Sequence, residues 1–236
     1  MANRDYGQDD AAAQPVARGV RLPRPYLIGL TGNIACGKST VLAQLAGYGA
    51  EVIDADRVVH ELQRPGQPVW AAIREAFGAG VLAPDGTLDR RALGAIVFAN
   101  PVALARLEAL THPAVREWIE ARVAASRAPV VVIDAIKLLE SGLADGCDEV
   151  WVVTCPPEQQ LARLMARNGF AEEEARRRIT AQPPQEEKVA RADLVIANDG
   201  TLEELRARVA AAWGALPIDR HAADTTAERV GPGEQR

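Results

Sequence analysis

Cysteine is scarce in this sequence: Cys36, Cys147 and Cys155 are scattered through 236 residues. That excludes a disulfide framework and the paired spacing of a zinc site, and it suits a reduced, cytoplasmic protein. The three histidines, His60, His112 and His221, show no ligating spacing either. Long apolar runs are missing, and none approaches the roughly 18 residues of a membrane span. The first residues, MANRDYGQDDAAAQ, lack the apolar stretch of a secretion signal. No membrane partner is expected. Positive charge is in deficit, with a net charge of −5, which argues against nucleic acid as a partner. No internal repeat is present. The chain is 48% hydrophobic and 25% charged, enough for one sizeable core with a smaller appended unit.

Residues 1–24 are polar, rich in alanine and broken by Gly19, Pro15 and Pro23, and residues 217–236 have the same character. Both are expected to be disordered tails. Between them, Leu27–Thr31, Val52–Ile53, Val130–Asp134, Val150–Thr154 and Leu194–Ala197 read as strands. They are apolar throughout, not alternating, which predicts burial on both faces of a parallel sheet. Helical spacing recurs at Leu202, Leu205, Val209 and Ala212, and at Val115, Trp118, Ile119 and Val123. Strand–helix alternation over 25–56 and 129–214 predicts an α/β core. Residues 57–128 contain no strand pattern and are expected to form a helical insertion at one rim of the sheet. Its predicted helices are Arg57–Gln63, Val69–Phe77, Arg91–Phe98, Val102–Leu110 and Ala114–Ser126, with His112-Pro113 as the turn before the last.

Gly32-Asn33-Ile34-Ala35-Cys36-Gly37-Lys38-Ser39 follows a strand and opens a helix. Backbone amides can wrap a polyphosphate only where side chains stay away, which calls for glycine at the closest approach. The helix starting near Lys38 aims its free N–H groups at the anion. Lys38 reaches the terminal phosphates, and the Ser39 hydroxyl can ligate Mg²⁺. The bland alternative is a tight strand-to-helix turn with a surface lysine. Ala35 interrupts the small-residue pattern, and a negative φ is expected there, because positive φ costs a non-glycine residue about 1–2 kcal/mol.

Two carboxylates, Asp54 and Asp56, end the second strand, where α/β sheets face their ligand crevice. Either can accept the proton of an attacking hydroxyl; alternatively, Asp56 only caps a helix beginning at Arg57. Asp134 ends the third strand and can hold the shell of a magnesium ion, or be a plain strand-end residue. Arg163 and Arg167 share a helix face and suit the charge of a transferring phosphoryl group. Arg176, Arg177 and Arg178 read instead as a solvated face paired with Glu172, Glu173 and Glu174.

The stretches LTGNIACGKST, VIDAD, PDGTLDRRALGAIVFANP, LTHP, the helix with Gln160, Leu161 and Arg163, Ala181-Gln182, and VIANDG occur in this order. From about Tyr26 to Trp213 the chain resembles the dephospho-coenzyme A kinase family. The resemblance implies an α/β P-loop kinase with a five-stranded parallel sheet of order 2-3-1-4-5 flanked by helices, a coenzyme-binding insertion at about 57–128 and a lid at about 164–190. It implies transfer of the γ-phosphate of ATP, with Mg²⁺, to the ribose 3′-hydroxyl of dephospho-coenzyme A. By resemblance, Lys38, Asp56 and Arg163 are the catalytic candidates. The nucleotide contacts are Gly32 through Thr40 (Gly32, Asn33, Ile34, Ala35, Cys36, Gly37, Lys38, Ser39 and Thr40) together with Asn198, near adenine. The acceptor contacts are Asp54, Asp56, Arg90 and His112, and the metal ligands are Ser39 and Asp134. A monomer is expected, with an oligomer left open. The chain departs from the common pattern at Asn33, Ala35 and Cys36. It departs again at Ile136-Lys137-Leu138-Leu139-Glu140, where many members read Pro-Leu-Leu-Phe-Glu; Lys137 adds a charge near the acceptor side.

Other classes compete with this. A GTPase switch needs a guanine-reading Asn-Lys pair, and the chain has none. A regulatory nucleotide-binding module would need no base, which Asp56 argues against. A kinase for another nucleoside or nucleotide would share the core and lid, and only the insertion stretches speak against it.

Overall fold

Residues 24–218 are described in this computed structural model. Within them, β1 (Tyr26–Thr31), β2 (Glu51–Asp54), β3 (Val130–Asp134), β4 (Glu149–Thr154) and β5 (Leu194–Ala197) form one parallel sheet in the order β2-β3-β1-β4-β5. The order is the one the family resemblance implies. The two tails lie outside the described residues, apart from Arg24, Pro217 and Ile218. Arg24 belongs to the structured part, paired with Asp148 at 2.7 Å, and Ile218 packs against the core.

The strands read as unbroken apolar runs because the three inner ones are covered on both sides. Ile28, Leu30, Val130, Val132, Trp151 and Val153 pack under α1 (Lys38–Gly47) and α9 (Leu202–Ala215), against Val41, Leu45, Leu205 and Val209. The alternate residues Leu27, Val131, Ile133, Val150 and Val152 pack under α2 (Ala55–Leu62) and α5 (Pro101–Ala125). The expectation of two-sided burial fails at the edge: Val195 on β5 is 42% exposed. Among the described residues, β5 is the edge strand and pairs with β4 alone.

The insertion has a small core of its own. Val69 and Ile73 of α3 (Pro68–Phe77) and Leu93 and Val97 of α4 (Arg90–Ala99) pack with Val81 and Leu88. The expected break at His112-Pro113 is absent. α5 runs for 25 residues with Pro113 inside it, so His112 sits in mid-helix rather than extended at a helix start. An interior proline removes one helical hydrogen bond and costs about 3 kcal/mol. Packing on both sides of Pro113 offsets that cost. Leu104, Leu107, Leu110 and Ala114 enter the insertion core, while Val115, Ile119 and Val123 are buried against the sheet. α5 therefore ties the insertion to the rim formed by the C-terminal ends of β2 and β3.

Candidate active site

The loop between β1 and α1 turns without room for side chains. A Cβ on Gly32 would lie 2.4 Å from the Val153 carbonyl oxygen, and one on Gly37 would lie 2.2 Å from Asn198 Nδ2. Gly37 has φ +101 and precedes α1 with no side-chain cap, so the first amides of the helix remain available to an anion. Gly37→Ala is expected to weaken triphosphate binding at least tenfold and to lower the melting temperature, through clash and positive φ together. Nucleotide titration with a thermal melt checks this, and unaltered affinity would count against the loop as the phosphate cradle.

Ala35 departs from expectation with φ +59, the one positive φ among described non-glycine residues. Its neighbours impose it. The Ile34 amide donates to Gln182 Oε1 at 2.7 Å, Gln160 Nε2 donates to the Ile34 carbonyl at 2.8 Å, and Asn33 Nδ2 donates to the Pro183 carbonyl at 3.1 Å. With the preceding residues held this way, the chain reaches Cys36 only through a left-handed turn, and the strain of about 1–2 kcal/mol is stored in the loop.

An open pocket of about 570 Å³ lies over this loop, lined by Gly37, Lys38, Ser39, Asp134, Arg163 and Arg167 among others. Pairing of β2 with β3 places Asp54 and Asp134 in register at the C-terminal edge of the sheet. Asp134 Oδ1 is 3.9 Å from Lys38 Nζ, and that buried oxygen has no hydrogen-bond partner. Burial pushes the Asp134 carboxyl above its ordinary range, with Asp54 and Asp56 adding to the rise and Lys38 opposing it. An orphaned carboxylate oxygen that shares a pocket with a serine hydroxyl fits Mg²⁺, which takes one or two protein oxygens and fills its shell from phosphates and water. The described residues hold no cluster of three or more histidine, cysteine or acidic ligands.

The carboxylates of VIDAD separate. Asp54, not Asp56, caps the helix: its Oδ1 accepts from the Arg57 amide at 2.9 Å, and α2 begins at Ala55. Asp56, free of that duty, lines a second cavity of about 250 Å³ with His112, Glu108, Thr111 and Lys137. Apolar groups, Val97, Phe98, Leu104 and Leu107, form its other wall. Asp54 and Arg90 do not line it; Arg90 stands exposed at the start of α4.

Arg163, on α6 (Pro157–Asn168), lines the pocket over the loop, its guanidinium held by the Asn198 carbonyl at 3.2 Å and Gln159 Oε1 at 2.9 Å. Asn198 is buried, and its amide donates to the Cys36 carbonyl at 2.8 Å, so its side chain supports the loop from beneath. Arg176, Arg177 and Arg178 on α7 (Glu172–Thr180) pair with Glu172 and Glu174, as expected of a solvated face. Sequence reasoning missed Lys188, on the short α8 (Gln185–Val189). It is 2% exposed, and its Nζ donates to the Ile136 carbonyl at 2.6 Å. Burial depresses its pKa. A lysine in an otherwise polar turn of helix carries no periodicity signal. Gln160 and Gln182 entered only as members of resembling stretches; their role as latches on the loop is tertiary.

Comparison with known proteins adds an independent line. The family described as dephospho-CoA kinase matches residues 26–204. The dephospho-CoA kinase of Symbiobacterium thermophilum is 54% identical over 192 residues, covering 80% of this chain and 80% of the relative. That of Geobacter sulfurreducens is 50% identical over 190 residues, covering 79% and 96%. Among solved structures, TT1252 from Thermus thermophilus aligns with a TM-score of 0.68 at 35% identity, over 88% of this chain and 100% of that one. The dephospho-CoA kinase from Campylobacter jejuni aligns with a TM-score of 0.59 at 29% identity, over 80% and 95%.

Proposed function

The chain belongs to the dephospho-CoA kinase family, and from that premise we propose how its own residues carry the reaction. The family makes coenzyme A from dephospho-coenzyme A with ATP and Mg²⁺, the last step of coenzyme A synthesis, so this chain is a phosphotransferase with an alcohol acceptor. The loop amides and Lys38 hold the β- and γ-phosphates. Asp56 accepts the proton of the ribose 3′-hydroxyl as that oxygen attacks. The oxygen–phosphorus bond to the acceptor forms, the bond from the γ-phosphorus to the bridging oxygen breaks, and ADP leaves. Arg163 offsets charge on the equatorial oxygens, and Arg167 lies close enough to share that task. When bound, Mg²⁺ neutralises phosphate charge, and the Ser39 hydroxyl and Asp134 carboxylate are the groups that would hold it.

The supporting observation is the meeting of two spaces at the end of β3. Asp134 lines the phosphate pocket and its neighbour Ala135 lines the cavity that holds Asp56. Donor and acceptor can thus approach across one strand end. In this reading the insertion holds the acceptor, with His112 at its cavity and Asp54 and Arg90 in lesser, indirect parts. The lid at about 164–190 closes over the nucleotide. Asn198, on the loop that the family places near adenine, supports the glycine loop through the Cys36 carbonyl. One chain supplies both spaces, so a cytoplasmic monomer suffices. The test is a coupled ADP-release assay with dephospho-coenzyme A, adenosine and AMP as competing acceptors. Strong preference for dephospho-coenzyme A is expected; equal use of all three, or no use of it, would sink the proposal.

A further inference from the structure

The acceptor carries a diphosphate on the 5′-carbon of the ribose whose 3′-hydroxyl is phosphorylated. Both groups hang from one sugar ring. A cavity that presents the hydroxyl to Asp56 must therefore admit two negative charges within a few ångströms. The lining of that cavity is poorly suited to them in one respect: Asp56 and Glu108 are acidic. The basic groups lining it are His112 and Lys137.

Resting on the functional reading above, we propose that Lys137 binds the diphosphate of the acceptor and selects acceptors that carry one. Three observations support the assignment. Lys137 lines the same cavity as Asp56. Its side chain is exposed, and among the described residues its ammonium has no hydrogen-bond or ion-pair partner, so no structural duty accounts for it. Its backbone is nevertheless fixed. The Ala135 amide donates to the Leu30 carbonyl at 3.2 Å, the buried Lys188 ammonium donates to the Ile136 carbonyl at 2.6 Å, and the Ser141 amide donates to the Lys137 carbonyl at 2.9 Å. Leu138, the next residue, is fully buried. A mobile cation on a rigid anchor, facing a dianion, loses less entropy on binding than one on a loose loop. The ammonium acts as a point charge on phosphate oxygens, a role lysine fills without a fixed fork geometry.

The test uses the full chain with Lys137→Met and Lys137→Arg, assayed for dephospho-coenzyme A turnover at several salt concentrations. Adenosine, which lacks the diphosphate, is titrated as a competitor. For Lys137→Met, the KM for dephospho-coenzyme A is expected to rise roughly tenfold, the scale of one charge-assisted contact at a partly exposed site. The kcat and the KM for ATP should stay near the parent's, and the gap in KM should narrow at high salt. The inhibition constant of adenosine should not move, and Lys137→Arg should restore most of the lost affinity. An unchanged KM in Lys137→Met with an active parent overturns this inference alone. So does a parallel loss of adenosine binding, which would mean a general collapse of the cavity. A parent that does not phosphorylate dephospho-coenzyme A overturns the functional reading, and this inference with it.

Discussion

Replacing Lys38 with alanine is expected to abolish measurable phosphoryl transfer while leaving the chain folded. Lys38 opens α1 with its side chain only 15% exposed, and its ammonium is 3.9 Å from Asp134 Oδ1. It is the cation that moderates a carboxyl group already made costly by burial and by Asp54 and Asp56 nearby. Without it, Asp134 would line the pocket with no ammonium beside its carboxylate. The γ-phosphoryl group would also lose a preorganised charge during transfer. Interactions of this kind are worth about 10²–10³ in rate for one hydrogen-bond donor, and a full charge exceeds that. A loss of about 10³-fold or more is therefore expected, read by ADP release with dephospho-coenzyme A and controlled by circular dichroism. Lys38→Arg is not expected to rescue, because the planar guanidinium demands width that the loop does not offer. Turnover within tenfold of the parent would remove Lys38 from the phosphate site.

Asp56→Asn is expected to lower kcat by about 10²–10⁴, the range for losing a positioned base, and to leave ATP affinity within a few-fold. The amide keeps the volume and cannot take the proton. The neighbouring carboxylate supplies a control. Asp54 caps α2 through the Arg57 amide, so Asp54→Ala is expected to cost about 1 kcal/mol of stability with a far smaller change in turnover. Thermal melts and turnover numbers on the two variants separate the roles. Similar turnover losses for both would return the base assignment to the open choice that the sequence leaves. Unchanged turnover in Asp56→Asn would remove Asp56 from that role outright.

That open choice marks where sequence reasoning ends. VIDAD brings two carboxylates to a strand end, and nothing local tells which one is used. The helix begins at Ala55, two residues earlier than a cap at Asp56 predicts, so Asp54 takes the capping bond and Asp56 lines the cavity. Ala35 is a second case. Its intrinsic preference is negative φ, but Gln160, Gln182 and Pro183 grip the two residues before it, and three tertiary hydrogen bonds outweigh one residue's backbone preference. Pro113 is a third, where burial on both sides of a local breaker carries the helix through it.

By itself the sequence determined the inner strands, the glycine loop with Lys38 and Ser39, the placement of Asp134 at a strand end and of Asp56 just beyond one, and that of Arg163 on the helix after β4. These features rest on short-range physics: apolar runs suited to two-sided burial, glycines where backbone must approach an anion, and a helix start left open for one. Only the tertiary structure decided which aspartate caps α2 and which lines the neighbouring cavity, that Lys188 anchors the turn bearing Lys137, and that Gln182 and Pro183 latch the loop. The last two depend on distant residues meeting: Lys188 with Ile136, 52 positions apart, and Gln182 with Ile34, 148 positions apart. No local pattern encodes such a meeting, because its energy appears only once the sheet has closed.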